Sequence, residues 1–274
     1  LSSRKGVNSQ HRPSLLAGSV HSPYPLSYQH TTKQKSSEQI SMSVSLLGAH
    51  IFAAAGLAVV IQAALGFANA KDALAFYGVY HREPRNQLIH FFGVPGILWS
   101  MIIFMTHLPI PYLGNALKKI LPADYQLTYG LVLTLVYLGF YLSIDPLGGT
   151  LYAPVLYGMY ISAVWMHRSD QKKAGGTSWA GTGRLLTIAF VIHVLSWYVQ
   201  IHLGHKVFEG AQPAVMQSLG GALTVAPLFA FYEGLWLAGI NKELQNETLR
   251  LVDKYTIDLC NAGVDMRVCK TLSL

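Results

Sequence analysis

Apolar residues in this chain come in long blocks separated by short polar connections. No Asp, Glu, Lys or Arg occurs from Gln39 to Ala70, Asn86 to Leu117, Tyr125 to Ile144, Pro146 to His167, Leu185 to His205, or Gly210 to Tyr232. A helix needs about 17 to 25 such residues to cross the ~30 Å hydrocarbon layer. Lipid offers backbone groups no hydrogen-bond partner, so blocks of this length read as helices and not as strands. They predict spans at Leu46–Ala70, Leu88–Leu108, Gln126–Ser143, Leu147–Met166, Leu185–Leu203 and Pro213–Ile240. The fold class is all-α, a polytopic helical membrane protein with five to six transmembrane helices.

Composition agrees. Of 274 residues 51% are apolar and only 12% charged, with a mean hydropathy of +0.34, against about 25% charged in a soluble domain. This excludes a water-soluble enzyme, a coiled coil and a disordered protein. The net charge of +7 is spread over several segments, which suits membrane-facing loops better than a nucleic-acid footprint. Cys260 and Cys269 sit in the polar tail and frame neither a disulfide scaffold nor a zinc site.

The expected organisation has four parts. Residues 1–45, rich in Ser, His and Gln and with Met42 the first methionine, form a disordered head and a possible gene-model extension. Residues 46–70 are a true span, a signal-like segment ending in Ala68-Asn69-Ala70, or an artefact of the gene model. Residues 71–240 form the membrane-embedded catalytic domain, and residues 241–274 a polar C-terminal tail. If all six segments span, the positive-inside rule places the basic residues of the head, the 109–125 and 167–184 loops and the tail inside, and only Lys71, Arg82, Arg85 and Lys206 outside. If the first segment does not span, the count decides nothing. In both cases the 71–87 and 204–212 loops share one side, because four crossings separate them.

Eleven histidines stand beside thirteen carboxylates. His11, His21 and His30 lie in the head, and His50, His107 and His167 read as isolated. The other five fall at the two loops that share a side, and ligand-type residues within membrane segments are costly and usually functional. His81 and His90 flank Glu83-Pro84. On one continuous helix nine residues would put them about 180° apart, so they converge only if the chain bends there, and Pro84 supplies the bend. In the second cluster His193, Trp197 and Gln200 form one helical stripe, while Gly204 can end the helix and turn His205 back towards it. His202 points to the opposite face. His193 and His205 are ~18 Å apart along a straight helix, so joint ligation requires the helix to break or a binding cleft to run deep into the membrane. Several imidazoles with few carboxylates suit zinc, copper or iron. No H-E-x-x-H, P-loop, G-x-G-x-x-G or G-x-S-x-G element occurs.

The order Tyr-x3-His81-x4-Asn86-x3-His90-x2-Gly93-x-Pro95, Asp145-Pro146 with Tyr152-Ala153-Pro154, and Trp197-x2-Gln200-x3-Gly204-His205-x3-Glu209-x3-Pro213-Ala214 resembles one membrane family. It is that of the iron-dependent 2-hydroxy fatty acid dioxygenases of the endoplasmic reticulum, which shorten 2-hydroxy acyl chains by one carbon, notably in phytosphingosine breakdown. The resemblance covers roughly Lys71 to Ile240, and the segment at 46–70 with the head before it is foreign to the usual pattern. It implies an Fe(II) site made mainly of histidines, O2 as co-substrate, a long-chain 2-hydroxy fatty acid as substrate and no need for 2-oxoglutarate. Mapped onto this chain, it makes His81, His90, His193 and His205 the candidate ligands. Gln200, Glu209, Asn86, Trp197 and Tyr77 become orienting or substrate-facing groups, and Arg82, Arg85 and Lys206 candidates for drawing in the substrate carboxylate. Three residues stay open: His202 as an interfacial or supporting group, Asp145 as a carboxylate ligand or a helix-end residue, and Glu233 as a charge facing the bundle interior. The competing reading is a non-enzymatic transporter or scaffold with structural histidines.

Overall fold

The structure, a computed structural model, describes residues 26–110, 127–176, 179–263 and residue 269. The basic positions 118 and 119, position 126 and residues 1–25 lie outside the described residues. Contacts divide the chain into a unit of residues 1–47 and a unit of residues 48–274. In the first, the backbone is helical from Leu26 onward. Residues 26–45, expected to be disordered, therefore continue the first apolar helix upstream; Gln, Lys, Glu and Met carry little helix penalty, and neither Pro nor Gly interrupts them.

The described residues are helical, with no named strand among them. In order they form α1 (Leu26–Ala64), α2 (Ala70–Gly78), α3 (Pro84–Thr106), α4 (Tyr129–Ile144), α5 (Pro146–Lys173) and α6 (Arg184–Tyr198). A π-helical stretch (Val199–Glu209), a 3-10 turn (Ala214–Met216), α7 (Leu219–Leu237) and α8 (Lys242–Asn261) follow. Among the described residues four segments are long and apolar enough to cross a membrane: Ser43–Ala64, Pro84–Thr106, Pro146–Lys173 and Arg184–Glu209. The apolar α4 has 16 residues, about 24 Å at 1.5 Å per residue, short of a full crossing on its own.

Local chemistry sets the starts of these helices. Asn69 caps α2, Thr128 caps α4 and Ser218 caps α7, each side chain accepting a first-turn N–H. Glu83 and Asp145 cap α3 and α5, with Pro84 and Pro146 at the first helical position, where a missing N–H costs nothing. Helix α3 is central, packed against α4, α5, α6, the π stretch and α7. Outward side chains such as Phe92, Trp165, Phe190 and Leu237 are large, apolar and exposed, as a lipid-facing surface requires.

The polar C-terminal segment is not a free tail. Helix α8 lies on α2, burying Thr248, Val252 and Thr256 at four-residue intervals, and Cys260 and Cys269 are joined by a disulfide. Its apolar face is too narrow to register as a hydrophobic block.

Candidate metal centre

Two helix ends and one distorted helix bring three imidazoles together. Helix α2 stops at Gly78, the chain turns through Val79 and Tyr80, and His81 follows in the turn before Pro84 opens α3. His90 lies inside α3, and His205 on the π-helical stretch. The rings are 4.4 Å (His81–His90), 4.8 Å (His81–His205) and 4.9 Å (His90–His205) apart between centroids, each pair near perpendicular. They are 2%, 3% and 2% exposed, and one ring nitrogen from each lies within 4.8 Å of the others. Among the described residues this is the group of three or more His, Cys, Asp or Glu that can hold a metal ion.

Hydrogen bonds fix two of the rings. The Nδ1–H of His81 donates to the Tyr77 carbonyl (2.8 Å), and that of His90 to the Asn86 carbonyl (2.9 Å). Both partners sit four residues upstream. This tautomer leaves each Nε2 lone pair free, the arrangement by which a supporting shell orients a ligating histidine. His81 Nε2 and His205 Nδ1 are buried with no hydrogen-bond partner, and buried polar atoms are seldom left so. Burial, helped by the neighbouring His90 and His205, pushes the His81 pKa well below the ordinary value, so the ring is held neutral, the form that binds a metal. Tyr77 stacks on His81 at 3.9 Å. Burial, and secondarily the charge of Glu233, raise its phenol pKa so that it stays protonated.

Glu209 ties the two halves together. Its carboxylate accepts from the backbone N–H groups of Arg82 (2.9 Å) and Glu83 (3.0 Å) and from Asn86 Nδ2 (2.9 Å). It thus clamps the loop bearing His81 to the end of the stretch bearing His205. Close approach needs small residues. A Cβ on Gly204 would stand 2.3 Å from Asn86 Oδ1, and one on Gly93 2.6 Å from Gln200 Nε2.

Other expected residues lie elsewhere. His193 does not join the cluster: Nδ1 is hydrogen-bonded to Ser100 Oγ (2.9 Å), and Nε2 accepts from the indole of Trp197 (3.0 Å). The helix does not break between His193 and His205. It continues past Gly204 as the π-helical stretch to Glu209 and ends at Gly210 in the left-handed conformation, so Gly204 is a close-packing residue and not a terminator. His202 stacks on Tyr198 away from the cluster. Gln200 is buried, its amide donating to the Ser196 carbonyl. Asp145 caps α5 and accepts from the Tyr232 hydroxyl, which makes it a helix-end residue. Glu233 keeps both carboxylate oxygens buried without a hydrogen-bond partner.

Two of the three cations expected to steer a carboxylate are already engaged by protein groups. Arg82 pairs with Asp253 (2.8 Å) and donates to Thr256 on α8. Arg85 pairs with Glu83 (2.6 Å) and lies over the Phe208 ring at 4.5 Å. Lys206 is exposed. Nor are His107 and His167 isolated: their rings meet at 4.2 Å, and burial pulls the pKa of His107 down. His107 follows the last residue of α3 and His167 lies in α5, 60 residues further on, a meeting that no local pattern reveals.

A cavity of about 340 Å³ opens against His90, His205, Gln200 and Trp197 and runs between apolar side chains of α1, α3, α4 and α7. Its size is that of a small-molecule site.

Fold and site together define a polytopic all-α membrane protein with a buried three-imidazole centre facing an apolar cavity. Residues 67–235 match the family described as 2-hydroxy-palmitic acid dioxygenase Mpo1-like, and the chain belongs to it. It is 29% identical over 183 residues to the 2-hydroxy-palmitic acid dioxygenase MPO1 of Saccharomyces cerevisiae, across 66% of this chain and 87% of the relative. No solved structure matches the chain. The resemblance read from the motifs is borne out, and the protein falls in a fatty-acid dioxygenase family.

Proposed function

We propose that this protein is a non-haem Fe(II) dioxygenase that removes one carbon from long-chain 2-hydroxy fatty acids with O2, in α-oxidation at the endoplasmic reticulum membrane. The observation that carries this is the convergence of three buried imidazoles on one point at the wall of an apolar cavity. The donor set fits a first-row transition metal: nitrogen ligands, tautomers fixed from behind, and lone pairs left without protein partners. His81, His90 and His205 would hold the ion, which when bound supplies open positions for the 2-hydroxy acid head and for O2.

The chain's own residues do the rest. The cavity takes the acyl tail, each buried CH2 contributing ~0.8 kcal/mol, and this explains a membrane location for the chemistry. Tyr77 backs the His81 ring, and Glu209 holds the loop that carries it. Gln200 and Trp197 line the cavity beside the histidines and bound the space for the substrate head. In the reaction the C1–C2 bond breaks, C1 leaves as CO2, and C2 becomes the new carboxyl carbon. Four electrons pass to O2, and the balance closes on the shortened acid, CO2 and one water with no external reductant.

The test is O2 uptake by the purified full chain in detergent with 2-hydroxypalmitic acid. The expected result is chelator-sensitive uptake, equal CO2 release and pentadecanoic acid as product. Uptake that survives chelation, or none with iron supplied, contradicts the proposal.

A further inference from the structure

The cavity has a wall that the family match does not contain. Its α3 lining, His90, Val94, Ile97, Met101 and Met105, recurs every three or four residues and so forms one face of the helix. From His90 to Met105 that face runs about 22 Å at 1.5 Å per residue. The end remote from the histidines is therefore marked by Met105. Opposite it lies α1, whose Phe52, Gly56, Val59 and Val60 also line the cavity and also fall on one helical face. All four precede residue 67, where the match to the family begins.

Contacts fix how α1 runs. A Cβ on Gly56 would meet Met105 Cε at 3.7 Å, whereas Ala63 and Val59 approach Gly220 at the start of α7. The His50 ring is 5.7 Å from that of Tyr129, and Gly130 beside it abuts Thr106. Gly56 therefore sits at the remote end of the cavity, where the tip of a bound chain would arrive, with Phe52 beyond it and exposed on the outer side.

We propose that α1 is the chain-length wall of the acyl cavity and that the missing side chain at Gly56 sets how long a chain fits. This rests on the reading that the cavity takes the acyl tail. A larger residue at 56 removes room for the last methylenes and leaves the histidine end untouched; Leu there also favours the helix.

The experiment compares wild type, Gly56→Leu and Ile51→Leu, the last on the exposed side of α1, as full chains in detergent. In Gly56→Leu the ratio of 2-hydroxyarachidic to 2-hydroxylauric acid turnover falls at least about tenfold, the effect of losing space for about two methylenes. In Ile51→Leu it keeps the wild-type value. In parallel, 2-hydroxypalmitic acid carrying a terminal diazirine is photolysed in the wild-type protein, and adducts between Phe52 and Val60 are expected. An unchanged ratio in Gly56→Leu, or adducts confined to other helices, overturns the wall. If Gly56→Leu does not fold, the adduct map decides alone. If wild type turns over no 2-hydroxy acid, the proposed reaction falls, while the adduct map still decides whether α1 bounds the chain.

Discussion

The side-chain amide of Asn86 donates to the carboxylate of Glu209 at 2.9 Å, across 123 residues of chain. Asn86 also offers its backbone carbonyl to His90 Nδ1, so this contact links the clamp at Glu209 to the tautomer of a candidate ligand. The bond lies where α3 starts and the π-helical stretch ends, and it joins the two segments that supply imidazoles.

Under the proposed metal centre, Glu209 supports ion binding, because it joins the loop that carries His81 to the stretch that carries His205. In Glu209→Gln the acceptors for Arg82 and Glu83 drop from a charged pair of oxygens to one neutral oxygen, and metal affinity falls about 10- to 100-fold, the usual cost of losing a supporting group. Titration of the metal-free protein with Fe(II) measures it; an unchanged affinity contradicts the clamp.

Gly204→Ala and Gly93→Ala place a Cβ 2.3 Å from Asn86 Oδ1 and 2.6 Å from Gln200 Nε2. Both variants lose about 1–3 kcal/mol of stability through forced separation of α3 from the π stretch, read as a lower thermal midpoint in detergent. Gly158→Ala, with open space around its Cβ position, shows no such loss.

Acid destabilises the metal-free protein through His81. Its folded-state pKa lies well below its value near 6.5 in the unfolded chain. The unfolded state thus gains a proton first as the pH drops through about 6.5, and stability falls by up to about 1.4 kcal/mol per pH unit until the folded-state pKa is reached. Above pH 7 this contribution is fully present. Thermal midpoints between pH 8 and pH 5 check it: the slope flattens in His81→Gln, and an equal slope in that variant assigns the effect elsewhere.

Arg82 is engaged by Asp253 and Thr256 on α8, not turned into the cavity. Arg82→Ala therefore leaves KM for the 2-hydroxy acid within about twofold and costs less than about 1 kcal/mol, the range of an exposed ion pair. A tenfold rise in KM restores the carboxylate-steering role.

Much of this was legible in the sequence, and the failures have physical causes. The helices could be read because lipid forbids charge over whole spans, so the gaps between Asp, Glu, Lys and Arg mark them. The approach of His81 to His90 could be read because Glu83-Pro84 can only bend the chain. His193 misled because it shares a helical stripe with Trp197 and Gln200, whereas its actual partners are Trp197 and a serine 93 residues away on α3. The π-helical stretch has no marker: Gly204 there permits contact with Asn86, and the same residue reads locally as a helix end. The role of Glu209 as a clamp, the docking of α8 and the meeting of His107 with His167 all depend on tertiary pairing of distant segments, which periodicity does not encode.

The most direct test of the metal centre is the iron content of the purified full chain set against single histidine variants. About one iron per chain is expected in wild type and in His193→Ala, and less than about a tenth of that in His81→Ala, His90→Ala and His205→Ala, because a three-imidazole site that loses one donor binds its metal weakly. Iron retained in His205→Ala, or lost in His193→Ala as fully as in the other three, contradicts it.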